Sequence, residues 1–122
     1  MGLRREQLDS FYKGMKKINN IIPEQFHGFN TFLKTSKQET SIDLKTKELI
    51  SVAIACYTRC EYCIVTHVHA ALKAGAKSEE ILDAAMTSAL FGGGPTMSYI
   101  STVLLESIEE FKYDFLEENK NG

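Results

Sequence analysis

The sequence predicts an all-α protein, a single domain over residues 1–122 built as a bundle of about six helices. Three observations predict it. Apolar residues recur at three- and four-residue spacing along most of the chain. Cap and stop residues fall between those stretches, at Pro23, Asp43, Gly75 and Ser78. No segment alternates apolar and polar residues over a strand length or carries a two-residue hairpin turn.

In the first helix Leu8, Phe11, Tyr12, Met15 and Ile18 form one apolar face, and Pro23 interrupts it. A short second helix is expected from Glu24 to about Lys34, with Phe26, Phe29 and Leu33 on one side, followed by the polar connection "KTSKQETS". Asp43 is placed to cap a third helix, "LKTKELISVAIACY", whose apolar end is expected at the centre of the core. A fourth runs from about Cys60 to Ala74, with Gly75 as the residue that ends it. Ser78 is expected to cap the fifth, and Glu79 and Glu80 favour its positive N-terminal end. "FGGGP", Phe91 to Pro95, is expected to stop that helix. The last helix then carries Tyr99, Ile100, Val103, Leu104, Ile108, Phe111 and Phe115.

Composition narrows the classes of function. With 122 residues, 43% hydrophobic and 25% charged, the chain has the size and balance of one soluble domain. A formal net charge of −2 gives no basic field for nucleic acid. The longest apolar run, "LISVAIAC", is far too short to span a bilayer, so no membrane partner is expected. The N-terminus has no apolar signal-peptide core, and Glu6 stands where a myristoylation motif wants Ser or Thr. A cytoplasmic location follows as the expectation. In a reducing compartment, clustered cysteines point to redox or metal chemistry before a structural disulfide.

The cluster is "CEYC", Cys60 to Cys63, followed by "IVTH". On a helical wheel Cys60, Cys63 and His67 fall within about 60° of arc, so they form a row one turn apart. His69 points nearly opposite to His67, while Val65, Val68 and Leu72 lie on a side suited to the core. The first turn of a helix offers unpaired amides and a positive dipole end, which favour a thiolate. A second thiol one turn away can resolve a sulfenic acid into a disulfide, and an imidazole in line can carry the proton. Two other readings stay open: buried thiols with a core histidine, or a metal site. Cys56, Cys60 and Cys63 have the C-x3-C-x2-C spacing of an iron–sulfur ligand set, but the enzymes that use it are larger α/β barrels. Cys56 also sits in the apolar run "SVAIAC", which suits a core position. Zinc on Cys60, Cys63 and His67 lacks a fourth ligand. The expectation is no metal and no cofactor.

The segment "KELISVAIACYTRCEYCIVTHVHAALKAGAKSEEILDAA" resembles the alkylhydroperoxidase D-like branch of the carboxymuconolactone decarboxylase superfamily. The shared pattern is Glu48, eleven residues, Cys60-x-x-Cys63, three residues, His67. The match covers roughly residues 44 to 90, and "FGGGP" agrees beyond it. The resemblance implies a helical fold that assembles into trimers or hexamers. It implies thiol-dependent reduction of a hydroperoxide or of a partner protein's disulfide, with a thiol electron donor. Carried over by position, Cys63 is the attacking thiolate, Cys60 closes the disulfide, and Glu48 and His67 form the proton relay. Helical geometry alone does not find Glu48: it lies about 120° off the cysteine row of a continuous helix, so it must come from a separate one. Tyr62 is a departure, because peroxidase members often carry His just before the second cysteine.

Two other functions compete. A decarboxylase acting on a muconolactone-type acid is disfavoured by the cysteine pair, which the superfamily's decarboxylases generally lack. A non-catalytic helical oligomer that senses redox state would keep the pair without turnover.

Overall fold

A computed structural model describes residues 2–116 of the chain. They form α1 (Leu3–Ile21), α2 (Pro23–Lys37), α3 (Leu44–Tyr57), α4 (Glu61–Lys73), α5 (Ser78–Tyr99), a π-helical turn (Ile100–Leu104) and α6 (Leu105–Phe111). There is no strand among the described residues. No helix among them is long and apolar enough to cross a membrane.

The centre is α3 and α4 packed with α5 and the segment that follows it. Val52, Ala55 and Cys56 of α3 meet Ile64, Val65, Val68 and Ala71 of α4, all at or below 3% exposure. The expected core positions Val65, Val68 and Leu72 are buried. Phe111 closes the far end, fully buried. The first two helices contribute less. Of the expected face of α1 only Leu8 is fully buried, and Tyr12 and Ile18 stay largely exposed. α2 is longer than its pattern implied at both ends and buries no residue completely.

The helix ends show how the sequence encodes these elements. Asp43 caps α3 as expected, its carboxylate accepting from the Thr46 amide at 2.8 Å. α4 ends at Gly75, whose φ of 97° suits glycine, with the Ala76 amide reaching back to the Ala71 carbonyl. α3 ends in the same way, the Cys60 amide bonding the Ala55 carbonyl, but the residue with positive φ is Arg59, at 55°. The cap of α5 is Lys77, not Ser78. The Glu80 carboxylate reaches back to the Lys77 amide at 2.9 Å, which moves the start of the helix one residue earlier. The Phe91–Pro95 stretch breaks α5 without ending it. Gly93 adopts φ 60° and ψ −142°, a conformation only glycine takes easily, and Pro95 has no N–H to lose as the next helical turn begins. The expected last helix therefore starts inside α5 and passes through the π-helical turn into α6, and Phe115 lies beyond its end, half-buried against the core.

Candidate active site

α4 starts at the cysteine pair. Cys60 is its N-cap, with extended backbone, and its Sγ accepts from the Cys63 amide at 3.3 Å. Cys60 and Cys63 are joined as a disulfide, their Cα atoms 5.2 Å apart. Both are half-buried, so the bridge is open to a small reactant or a partner thiol. The first amides of α4 face this end, and they would stabilise negative charge on a sulfur there once the bridge is reduced. Glu61, the residue between that cap and Tyr62, is turned away. Its carboxylate receives Arg4 at 2.6 Å and Gln7 at 3.2 Å. The Arg4 hydrogen bond, then that from Gln7, holds Glu61 below the usual carboxylate range.

His67 lies one turn beyond Cys63 on α4, and it does meet Glu48. Its Nδ1 is 3.2 Å from Glu48 Oε2. Glu48 is only 1% exposed, although Lys45 and Lys47 stand just before it in the sequence. Burial pushes its carboxyl up, but the His67 hydrogen bond and charge, with the Lys37 ammonium, outweigh that and hold it below the usual range. Glu48 reaches the site from α3, a separate helix, as the wheel required. Of the four expected residues, Cys63 and His67 lie on α4, Cys60 caps it, and Glu48 reaches His67 from α3.

The other candidates separate from this group. Cys56 is fully buried and its thiol is pushed up to about 11 by burial, so it is a packing residue. His69 does face away from His67. Its ring meets Phe111 and Phe115 edge-on, at 5.1 and 4.9 Å between centroids, and Nε2 stands 3.7 Å from Asp114. Burial chiefly, offset by Asp114, pushes its imidazole down.

Two residues near the site were not found from the sequence. Lys37 Nζ lies 3.5 Å from Glu48 Oε1. Tyr12 of α1 sits close enough that burial first, and the charge of Glu48 second, push its phenol up. Glu48 itself had a usable signal. It precedes Val52, Ala55 and Cys56 by four, seven and eight residues, the buried stripe of α3.

The fold and the site define a class: a helical bundle with a cysteine pair at a helix start and a histidine–carboxylate pair one turn along. Residues 23–106, most of the chain, match the Carboxymuconolactone decarboxylase family, and the chain belongs to that family. The crystal structure of a carboxymuconolactone decarboxylase family protein from Legionella pneumophila is similar, with TM-score 0.85 and 30% identity over 89% of this chain and 96% of that one. A family protein from Thermotoga maritima shares the fold at TM-score 0.74 and 21% identity, over 96% and 97% of the two chains. An uncharacterized protein of Cupriavidus necator is 32% identical over 82 residues, 67% of this chain and 73% of its own. The uncharacterized protein 4 in the cox locus of Paracoccus denitrificans is 35% identical over 78 residues, 62% of this chain and 70% of its own.

Proposed function

We propose that the protein is a thiol-dependent oxidoreductase that reduces hydroperoxides or a partner protein's disulfide. One observation carries this reading: a half-buried Cys60–Cys63 pair at the start of α4, one turn from a half-buried His67 paired with the buried Glu48. In the reduced protein the Cys63 thiol gives its proton to His67, and Glu48 stabilises the imidazolium that forms. The Cys63 thiolate attacks the outer oxygen of a hydroperoxide. The O–O bond breaks, Cys63 becomes a sulfenic acid, and the departing alkoxide takes the proton from His67 to leave as an alcohol. Cys60, whose sulfur sits where helix amides favour a thiolate, then attacks Cys63 and expels hydroxide, which leaves as water once protonated. Two electrons from a dithiol reopen the disulfide. Against a partner's disulfide the same dithiol exchanges directly, and no sulfenic acid forms.

The test is consumption of an organic hydroperoxide with a dithiol supplied. Wild type should turn over. Cys63→Ser should be inactive, and Cys60→Ser, reduced and then freed of dithiol, should stop after about one equivalent, with a sulfenic acid trapped on Cys63. Equal activity in Cys63→Ser and wild type overturns the reading.

A further inference from the structure

The carboxylate facing His67 has a second oxygen. Oε2 of Glu48 meets the imidazole at 3.2 Å, while Oε1 is buried with no hydrogen bond. An ionised oxygen left without a donor in a protein interior is destabilising. A donor stands beside it. Lys37 Nζ is 3.5 Å from Oε1, just beyond hydrogen-bond length, on a half-exposed side chain long enough to close the gap.

The placement of Lys37 is held by α3. It is the last residue of α2, and the Lys47 ammonium, next to Glu48 in the chain, donates to the carbonyls of Ser36 at 2.9 Å and of Gln38. Those two residues flank Lys37, so the helix that carries Glu48 also grips the end of the helix that carries Lys37. The charged and titratable groups facing Glu48 are then His67 from α4, Lys37 from α2 and Tyr12 from α1.

We propose that Lys37 is a positioning residue of the relay: its ammonium holds the Glu48 carboxylate charged and aimed at His67. The inference rests on the relay described above. Without that cation Glu48 takes a proton at higher pH, and a protonated Glu48 cannot support an imidazolium. The loss therefore falls on the acid side of the pH profile and fades above neutrality.

The test uses Lys37→Met, Lys37→Arg and Glu48→Gln with two readouts. The first is the NMR titration of the Glu48 carboxyl carbon in the oxidised protein, which needs no activity. The second is the pH dependence of iodoacetamide alkylation of Cys63 in a reduced Cys60→Ser background. Lys37→Met should move the Glu48 titration upward and slow alkylation on the order of tenfold at the acid end, with near wild-type rates at the alkaline end. Lys37→Arg should restore both. An unmoved Glu48 titration in Lys37→Met, or Lys37→Arg behaving like Lys37→Met, overturns the inference. If Glu48→Gln slows alkylation while Lys37→Met changes neither readout, the relay stands and Lys37 has no part in it. If Glu48→Gln alkylates like wild type at every pH, the relay itself falls, and this inference with it.

Discussion

Glu48 and His67 sit 3.2 Å apart, the first buried and the second half-buried, on separate helices, and this contact is what a proton relay to Cys63 needs. His67→Ala or Glu48→Gln should slow peroxide turnover on the order of a hundredfold, the usual worth of a positioned acid–base group. His69→Ala is the control. It should leave the chemistry nearly intact, yet cost about 1–2 kcal/mol of stability, because it empties the space between Phe111 and Phe115. Turnover and thermal melts of the three variants separate the roles, and an inactive, fully stable His69→Ala would reverse them. Glu48 also ties stability to pH. Its carboxyl titrates lower in the fold than in the unfolded chain, so folding favours the ionised form. The stability it supplies is complete above the ordinary value of 4.5 and drains away as pH falls through the folded value. Urea titrations should show a shallower acid loss in Glu48→Gln than in wild type. The row of Cys60, Cys63 and His67 was legible from spacing alone because all three share one helix, where 100° per residue fixes their relative directions. The stripe of α3 could have signalled the burial of Glu48, but its place at the site became legible only through resemblance, since no local rule says which helix will dock on that row. Lys37 was not legible at all: its contact depends on how the end of α2 is folded back onto α3.

At the scale of elements, the turn between α3 and α4 concentrates the demands of the site. α3 must end and α4 must begin within Thr58, Arg59 and Cys60, so that the Cys60 sulfur caps the first turn. The chain turns through Arg59 at φ 55°, where a residue with a Cβ pays about 1–2 kcal/mol relative to glycine. The Thr58 hydroxyl helps by bonding the Ile54 and Ala55 carbonyls at 3.0 and 3.2 Å. Arg59→Gly should remove the steric cost and lose part of the gain to unfolded-chain entropy, for a net of about 0.5–1 kcal/mol. Differential scanning calorimetry should then find Tm raised by a few degrees, and a lowered Tm would show that the Arg59 side chain stabilises the turn by contacts of its own. The same comparison explains the sequence reading of the ends. Asp43 and Gly75 were legible because their side-chain chemistry fits one helix-end role each. Ser78 misled because a serine at a helix start reads as a cap, yet the Glu80 carboxylate bonding the Lys77 amide sets the boundary here. "FGGGP" misled because three glycines and a proline read as a stop, while only Gly93 leaves the helical region inside α5.

At the scale of the molecule, several large apolar side chains among the described residues stand exposed. α2 buries none of its residues fully, and Phe29 and Phe32 on it are 54% and 66% exposed. Leu90 and Phe91 of α5 are 83% and 79% exposed, and Phe91 lines an open apolar groove with Ala53, Ile54 and Tyr57 of α3. Exposed apolar surface, where it is contiguous, commonly marks an interaction site. A chain of 122 residues also has a limited core and gains burial by association. We propose that the protein is a homo-oligomer, trimeric or hexameric, with these faces against other copies. Such an interface lies close to the cysteine pair: α3 carries Glu48 at one end and Ile54 and Tyr57 at the other, and Tyr57 is only three residues before Cys60. Assembly would therefore stiffen the turn that sets the cysteine pair, and the redox state of that pair would in turn bias assembly. Sedimentation velocity at micromolar concentration should give a single species three or six times the chain mass. Leu90→Asp combined with Phe91→Asp should shift it toward smaller species, since two charges placed at the centre of an apolar contact must be desolvated to keep it. A wild-type protein that sediments as a stable monomer would rule out these faces as interfaces between copies.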